Sequence, residues 1–269
     1  MAIEMPGAAW TIPCPTGNSG VPVKLQSVNL VLKKLKLRLN AGSTLACALL
    51  ICMSARSILA QQIDNAVAIR NIDAAVKVRI DHIAGYTDTE HYKVYRGKDE
   101  KRAVAEMVVK TTYRPESGKN YQVLSRSGSG VLFKFLLQPM LASETDINNP
   151  AKVAASLITS ANYDMQLKPG GPVQQDGRPC WALSIEPRRK APNLIQGTLW
   201  VDAEDFTIVR LEGISSRSPS IWASEAHVMR QYVKVDGFPE ATHARGESDS
   251  FFGRFVLTID YEGYRTQSR

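Results

Sequence analysis

Apolar and polar side chains alternate along residues 103–114, which is the pattern of a strand half buried in an antiparallel sheet. The side chains predicted to face the core are Ala103, Ala105, Met107, Val109, Thr111 and Tyr113. Those predicted to face mainly the other way are Glu106, Lys110, Thr112 and Arg114. Because an apolar sheet face must be covered by a second layer, this segment also predicts a partner layer.

Similar strand-like segments recur along most of the chain. YTDTEHYKVYRG precedes this segment and YQVLSRS follows it. From residue 163 onward seven more are predicted: YDMQLKP, CWALSIEP, GTLWVD, FTIVRLEGIS, SEAHVMRQYVKVDG, EATHARGESD and GRFVLTIDYEGYR. Polar turns with Gly, Pro, Asp or Asn separate most of them, which predicts short connections and an up-and-down meander.

Three segments are predicted to be helical. The first has one apolar stripe, with Asp64 as its N-cap and Gly85 as its C-terminal stop. The stripe consists of Ile69, Ile72, Val76, Ile80 and Ile83, with Arg70, Lys77 and Arg79 off it. VLFKFLLQPMLASE predicts a short apolar helix or an ordered loop, limited in length by Pro139, and NNPAKVAASLITSAN predicts a weaker helix.

The N-terminal residues have the order of an export signal. A basic cluster at Lys33, Lys34, Lys36 and Arg38 precedes an apolar run at residues 45–53 and then SARSILA. We predict a signal peptide at residues 31–60, cleaved after Ala60, and therefore a periplasmic protein. An uncleaved anchoring helix is the alternative. Residues 1–30 are predicted to be a non-native or disordered extension, and residues 61–269 the folded domain.

The basic charge belongs mainly to the export signal. The chain has a net charge of +7, but residues 1–60 contain six Lys or Arg and one Glu. The remainder carries 27 basic and 25 acidic residues, a net charge of about +2. We therefore expect no nucleic-acid partner. Of the four cysteines only Cys180 follows the predicted cleavage site, so no internal disulfide is expected in the domain.

The residues give no support for catalysis. The four histidines show no metal-site spacing, and no nucleophile elbow, S-x-x-K motif or phosphate loop is present. Cys180 is predicted to be a buried structural thiol, and the acids of VDAEDF a hairpin turn. We predict no catalytic residue, no metal and no cofactor, and a protein that is not an enzyme.

A more specific pattern lies in the second half of the chain. GTLWVDAEDFTIVRLEG is a strand, an acidic turn and a returning strand, followed by YVKVDGFPEATHARGES and a terminal IDYEGY. In these features the chain resembles the LolA/LolB/RseB-like periplasmic lipoprotein-carrier superfamily, and especially the outer-membrane lipoprotein-sorting proteins. The resemblance covers essentially residues 61–269, with the first helix and the early strands in the expected order.

This resemblance implies an α+β fold, in which helices cover the concave face of a strongly curved antiparallel sheet that forms a half-open barrel. It also implies a carrier of lipid or lipoprotein acyl chains in outer-membrane lipoprotein sorting, with donor or acceptor proteins at the inner or outer membrane. We expect a monomer. The alternative function is an RseB-like signalling or scaffolding module that binds another periplasmic protein.

Strand alternation, not a family motif, selects the candidate ligand contacts. One strand offers Met107, Val109 and Tyr113. The helical insertion offers plug or lid residues at Leu132, Phe133, Phe135, Leu136 and Leu137. The sheet wall is predicted at Leu183 and Ile185, or at Leu199 and Val201. For every one of these residues an ordinary core role is the alternative.

Overall fold

The computed structural model describes residues 63–97, 99–217, 225–250 and 253–269. They form an antiparallel sheet with strands β1 (Ile83–Arg96), β2 (Ala105–Arg114), β3 (Gly118–Gly128), β4 (Tyr163–Leu167), β5 (Val173–Gln175), β6 (Arg178–Pro187), β7 (Ile195–Asp202), β8 (Ile208–Ser215), β9 (His227–Val235), β10 (Phe238–Ser250) and β11 (Gly253–Ser268). The predicted strands are confirmed, and the short β5 is an addition.

The sheet is open and contains two meanders. The strand order is β3-β2-β1-β11-β10-β9-β8-β7-β6-β4, with β5 paired only to β6. Apart from the short β5, neighbours in sequence are neighbours in the sheet within each meander, as predicted. The meanders join where β1 pairs with β11, for example at Tyr92 and Ile259. This pairing links the two ends of the domain.

Helix α1 (Asn65–His82) begins as predicted, because the Asp64 carboxylate accepts hydrogen bonds from the first-turn amides of Ala66 and Val67. The predicted stop at Gly85 is wrong, since β1 starts directly at Ile83 and includes that glycine. Only Ala68 and Ile72 of α1 are fully buried.

The C-terminal part of the predicted apolar stripe on α1 is also wrong. Ile80 is exposed, whereas Arg79, expected off the stripe, donates hydrogen bonds to Glu240 of β10. The helix therefore turns a cation towards the sheet in its last turns, because the sheet presents a buried carboxylate there.

A second helical stretch, residues 130–147, is called the cover segment below. It consists of an α-helical turn (Gly130–Leu132), a π-helix (Phe133–Leu137) and helix α2 (Gln138–Ile147). Pro139 does not limit it, because proline lies in the first turn of α2, where its missing N–H is tolerated. The predicted third helix is reduced to a 3₁₀ turn, Val153–Ser156.

Both helical layers lie on one face of the sheet, called the covered face below. The register aligns Leu183 with Leu199 and Leu199 with Leu211, and this row packs under α1. Tyr92 aligns with Met107 and packs under the cover segment. The predicted class, an α+β fold with an open antiparallel sheet covered by helices, is confirmed.

The predicted extension at residues 1–30, the signal peptide at residues 31–60 and the cleavage after Ala60 lie outside the described residues, and they stay predictions. None of the helices in the described part of the chain is long and apolar enough to cross a membrane.

Candidate ligand-binding site

The covered face changes from apolar to polar along three adjacent strands. Under the cover segment it is apolar, and this apolar zone contains Tyr92 and Val94 of β1, Met107 and Val109 of β2, and Leu257 and Ile259 of β11. The cover segment packs onto it with Phe133, Leu137 and Leu141. Burying three such side chains contributes about 1.5–3 kcal/mol each, which holds the cover in place.

The same strands become polar beyond the end of this apolar zone. The polar zone consists of Tyr86, Asp88 and Glu90 of β1, Thr111 of β2, Lys119 and Tyr121 of β3, and Tyr261 and Tyr264 of β11. In register, Asp88 lies opposite Thr111, and Thr111 lies opposite Tyr121. The Tyr86 ring stacks on Tyr113, with centroids 5.1 Å apart.

The two carboxylates of β1 have different surroundings. Glu90 accepts a hydrogen bond of 2.8 Å from the Thr111 hydroxyl and another from the Tyr92 hydroxyl. Asp88 is only 3% exposed, yet within the described residues neither of its oxygens accepts a hydrogen bond of ordinary geometry. The Tyr121 hydroxyl is likewise buried without a hydrogen-bond partner there. Buried polar groups in this state are rare in native proteins.

The environment of Asp88 makes its ionised form unfavourable. Burial, together with the negative charge of Glu90, raises the pKa of Asp88 to about 6 against the opposing charge of Lys119. Burial also raises the pKa of Tyr86 to about 12, and it raises the pKa values of Tyr121, Tyr261 and Tyr264. These tyrosines are neutral hydroxyl groups at physiological pH.

Two cations at the border of the polar zone already have anionic partners. The Arg79 guanidinium lies 2.9 Å from both Glu240 oxygens. Arg230 of β9 lies 3.9 Å from Glu144 of α2. Lys119 then remains with two carboxylates, those of Asp88 and Glu90. With all groups ionised, the described side chains of this zone carry one net negative charge.

Two grooves follow the seam between β3 and the cover segment, and Gln138 lines both. One has a volume of about 610 Å³ and is lined by Arg126, Ser127, Gly128, Gly130, Phe133, Lys134 and Gln138. The other has a volume of about 460 Å³ and is lined by Ser117, Lys119, Asn120, Tyr121, Gln138, Leu141, Ala142 and Thr145. The second groove reaches the polar zone at Lys119 and Tyr121.

Both segments that border the seam expose apolar side chains. Val123 and Leu124 of β3 lie between the two grooves along the strand, and both are about half exposed. On the cover segment Val131 and Phe135 are exposed, Phe135 by 70%. Exposed apolar groups that cluster along a groove are typical of a binding site.

The structure places the predicted ligand contacts in separate regions. Met107 and Val109 meet Phe133 and Leu137 in the apolar zone, with Leu132 and Leu136 packed at its margin. Leu183, Ile185, Leu199 and Val201 lie in a different cluster beneath α1. Tyr113 stacks on Tyr86 at the polar zone, and Phe135 faces away from the core.

Sequence reasoning missed the polar zone. A signal was present in YTDTEHYKVYR, where Asp88 and Glu90 share the strand face of the predicted core residues Tyr92 and Val94. Two acids on the apolar face of a strand are unusual, because burying an unpaired charge is unfavourable. Lys119 and Glu144 lie far from them in sequence, and only the fold brings them close.

Among known proteins, this chain is similar only to proteins of solved structure. Neither a protein-family model nor a curated protein matches the sequence. A LolA superfamily protein of Nitrosomonas europaea has 11% identity and a TM-score of 0.43, over 77% of this chain and 94% of that one. An outer membrane lipoprotein-sorting protein domain of Vibrio parahaemolyticus has 11% identity and a TM-score of 0.44, over 76% and 94%.

A third solved structure comes from a DUF1329 family protein of Desulfovibrio piger. It has 17% identity and a TM-score of 0.38, over 74% of this chain and 92% of that one.

Proposed function

We propose that this protein is an exported carrier that binds the acyl chain of a lipid or lipoprotein in place of the cover segment. The observation that supports this proposal is the seam between β3 and the cover segment. Six side chains of the cover pack on the apolar zone, three of them only partly buried. Both segments that border the seam also expose apolar side chains.

The free energies involved are of similar size, which a reversible carrier requires. Phe133, Leu137 and Leu141 together contribute roughly 5–9 kcal/mol of apolar burial. An acyl chain contributes about 0.8 kcal/mol per buried methylene, so ten methylenes offset the loss of these three buried side chains. Because the cover competes for the same surface, it also favours release of the cargo.

The cover segment has a local feature suited to such displacement. Its π-helix, Phe133–Leu137, departs from the α-helical hydrogen-bond pattern at the point where Phe133 and Leu137 contact the apolar zone. Irregular helical turns of this type are frequent at functional sites. We infer that the cover opens at this turn while α1 keeps the other half of the covered face buried.

Native mass spectrometry of the purified protein, followed by lipid extraction, tests the proposal. We expect co-purifying acyl lipid and uptake of a fluorescent fatty acyl probe. The variant V131S/F135S should weaken probe uptake by about tenfold without loss of thermal stability, since both side chains are exposed. The control V173S/V233S changes two exposed apolar side chains away from the seam and should bind normally.

Two results would contradict the acyl carrier. One is a protein mass free of lipid together with no uptake of the probe. The other is equal binding by wild type and V131S/F135S. A protein partner that binds the seam, as expected of a signalling or scaffolding module, would then be the function to test.

A further inference from the structure

The polar zone holds polar atoms that are ready to accept hydrogen bonds. Both Asp88 oxygens and the Tyr121 oxygen are buried, and no described residue donates a hydrogen bond of ordinary geometry to them. The Thr111 and Tyr264 hydroxyls lie near Asp88, but Thr111 donates its hydrogen bond to Glu90. More than nine-tenths of Asp88 is buried, so bulk water does not replace the missing donors. What these atoms lack is a donor that carries several N–H or O–H groups.

The net charge of the polar zone indicates which charge that donor should carry. The Arg79–Glu240 and Arg230–Glu144 pairs are balanced. Lys119 compensates one of the two carboxylates at Asp88 and Glu90. One negative charge is left over, and a ligand with a single positive charge neutralises it. An ammonium group supplies this charge and three donors at the same atom.

Asp88 lies in the same row of the sheet as a residue of the second groove. Asp88, Thr111 and Tyr121 lie in one row across β1, β2 and β3. Adjacent strands are about 4.7–4.9 Å apart, so Asp88 lies about 10 Å from the strand whose Tyr121 lines the groove. The apolar zone begins four residues further along β1, at Tyr92, with Glu90 between them on the same face. The apolar part of a ligand whose head lies at Asp88 thus passes Glu90 before it reaches the apolar surface.

We propose that Asp88, with Tyr121, binds the ammonium group of a ligand whose apolar part lies under the cover segment. This inference rests on the proposed function for the apolar part only. The ammonium group is either the head of an amphiphile or a free amine. Asp88 is the anionic partner of the ammonium group, and the Tyr121 hydroxyl accepts a hydrogen bond from a second of its N–H groups. Glu90 does not bind the ligand, because it already accepts hydrogen bonds from Thr111 and Tyr92.

A matched series of decyl compounds tests this site. We expect isothermal titration to show that the purified protein binds decylammonium at least tenfold more tightly than decanol or decanoate. In D88N the preference of decylammonium over decanol should disappear, because the anionic partner is lost. Y121F, which removes only the unpartnered hydroxyl, should reduce the affinity for decylammonium by about threefold to tenfold. The control D164N removes an exposed carboxylate paired with Arg188 and should change nothing.

The pH dependence provides a second readout. The charged or titratable groups around Asp88 are Tyr86 and Glu90 of β1, Lys119 and Tyr121 of β3, Tyr261 and Tyr264 of β11, Arg79 of α1, Glu240 of β10, Arg230 of β9 and Glu144 of α2. Decylammonium stays charged throughout pH 5–7.5. Its affinity should fall by about tenfold at pH 5, where Asp88 is protonated, and this fall should be absent in D88N.

The outcomes separate this inference from the proposed function. Equal affinity of wild type for decylammonium and decanol overturns the ammonium site and leaves the apolar pocket; ordered water then satisfies Asp88. Binding of butylammonium by wild type but not by D88N, with no binding of decanol, supports the ammonium site and contradicts the apolar pocket. No binding of any compound in the series overturns both. Thermal unfolding of each variant confirms that it is folded.

Discussion

Arg79 and Glu240 form a buried ion pair that ties the last turn of α1 to strand β10. One guanidinium nitrogen of Arg79 lies 2.9 Å from each Glu240 oxygen, and its Nε donates to the Pro239 carbonyl at 3.2 Å. Glu240 is only 2% exposed. Burial raises the pKa of Glu240, even though the charge and the hydrogen bond of Arg79 lower it. The carboxylate therefore depends on its partner for its stability as an anion.

Removing one member of this pair should therefore be more harmful than removing both. We expect R79L to lower the free energy of unfolding by about 3–5 kcal/mol, because it leaves Glu240 buried and unpaired. The double variant R79L/E240L should recover most of this loss. Urea unfolding of R79L, E240L and the double variant gives the complete double-mutant cycle. A decrease of less than about 1 kcal/mol in the free energy of unfolding of R79L would contradict the role given to the pair.

Asp88 should make stability depend on pH in the opposite direction to most carboxylates. Its pKa is about 6 in the folded protein, above its ordinary value of 3.8, so the folded state binds the proton more tightly. The contribution of Asp88 is present in full below pH 3.8 and is lost as the pH rises through 6. A shift of about two units corresponds to roughly 3 kcal/mol.

The variant D88N isolates this effect from all other carboxylates. Without added ligand we expect D88N to be more stable than wild type by about 1–3 kcal/mol at pH 7.5, and this advantage to shrink towards pH 4. Denaturant unfolding at several pH values measures it, with D164N as the control. An advantage that stays constant with pH would show that Asp88 is not a buried ionised group.

The fold was largely predictable, because each strand carries its own signal. The alternation from Ala105 to Tyr113 predicted both faces of β2 correctly, and Asp64 predicted the start of α1. The inward turn of Arg79 was not predictable, since its reason is Glu240, 161 residues away along the chain. The pairing of β1 with β11 depends in the same way on distant residues.

The candidate site was predictable only in its apolar half. Phe133 and Leu137 were chosen from an apolar run, and they do face the sheet. The run could not show that Phe135 faces solvent, because the π-helix changes the angle between successive side chains. The polar zone requires residues from β1, β2, β3 and β11 to meet, and local patterns do not encode such a meeting.

Close backbone approach between β7 and β8 favours glycine at Gly197 on the covered face. A methyl group at Gly197 would lie 2.1 Å from the Glu212 carbonyl oxygen and 2.6 Å from the Gly213 Cα. Both are backbone atoms of the paired strand β8, which cannot move aside singly. We expect G197A to lower the free energy of unfolding by about 3 kcal/mol.

Gly246 is the matched control for that substitution. It also lies within a strand, β10, but an added methyl group would meet no atom within 4 Å. We expect G246A to change stability by less than about 1 kcal/mol, with a gain rather than a loss. Urea unfolding of the two alanine variants compares them directly. Equal losses would mean that glycine is needed for strand flexibility and not for the close approach.

The last prediction concerns Cys180, whose thiol is fully buried in β6. Burial, together with the negative charge of Asp202, raises the pKa of Cys180 to about 11. At pH 8 only about one thiol in a thousand is then ionised, and the reactive thiolate is also shielded. We expect iodoacetamide to leave the Cys180 peptide unlabelled in the native protein and to label it fully in urea, as measured by peptide mass mapping. Q196C places a thiol at an exposed position of the adjacent strand β7 and should be labelled in the native state. Similar labelling rates for Cys180 and for the thiol of Q196C would contradict a purely structural role and would indicate local opening of β6.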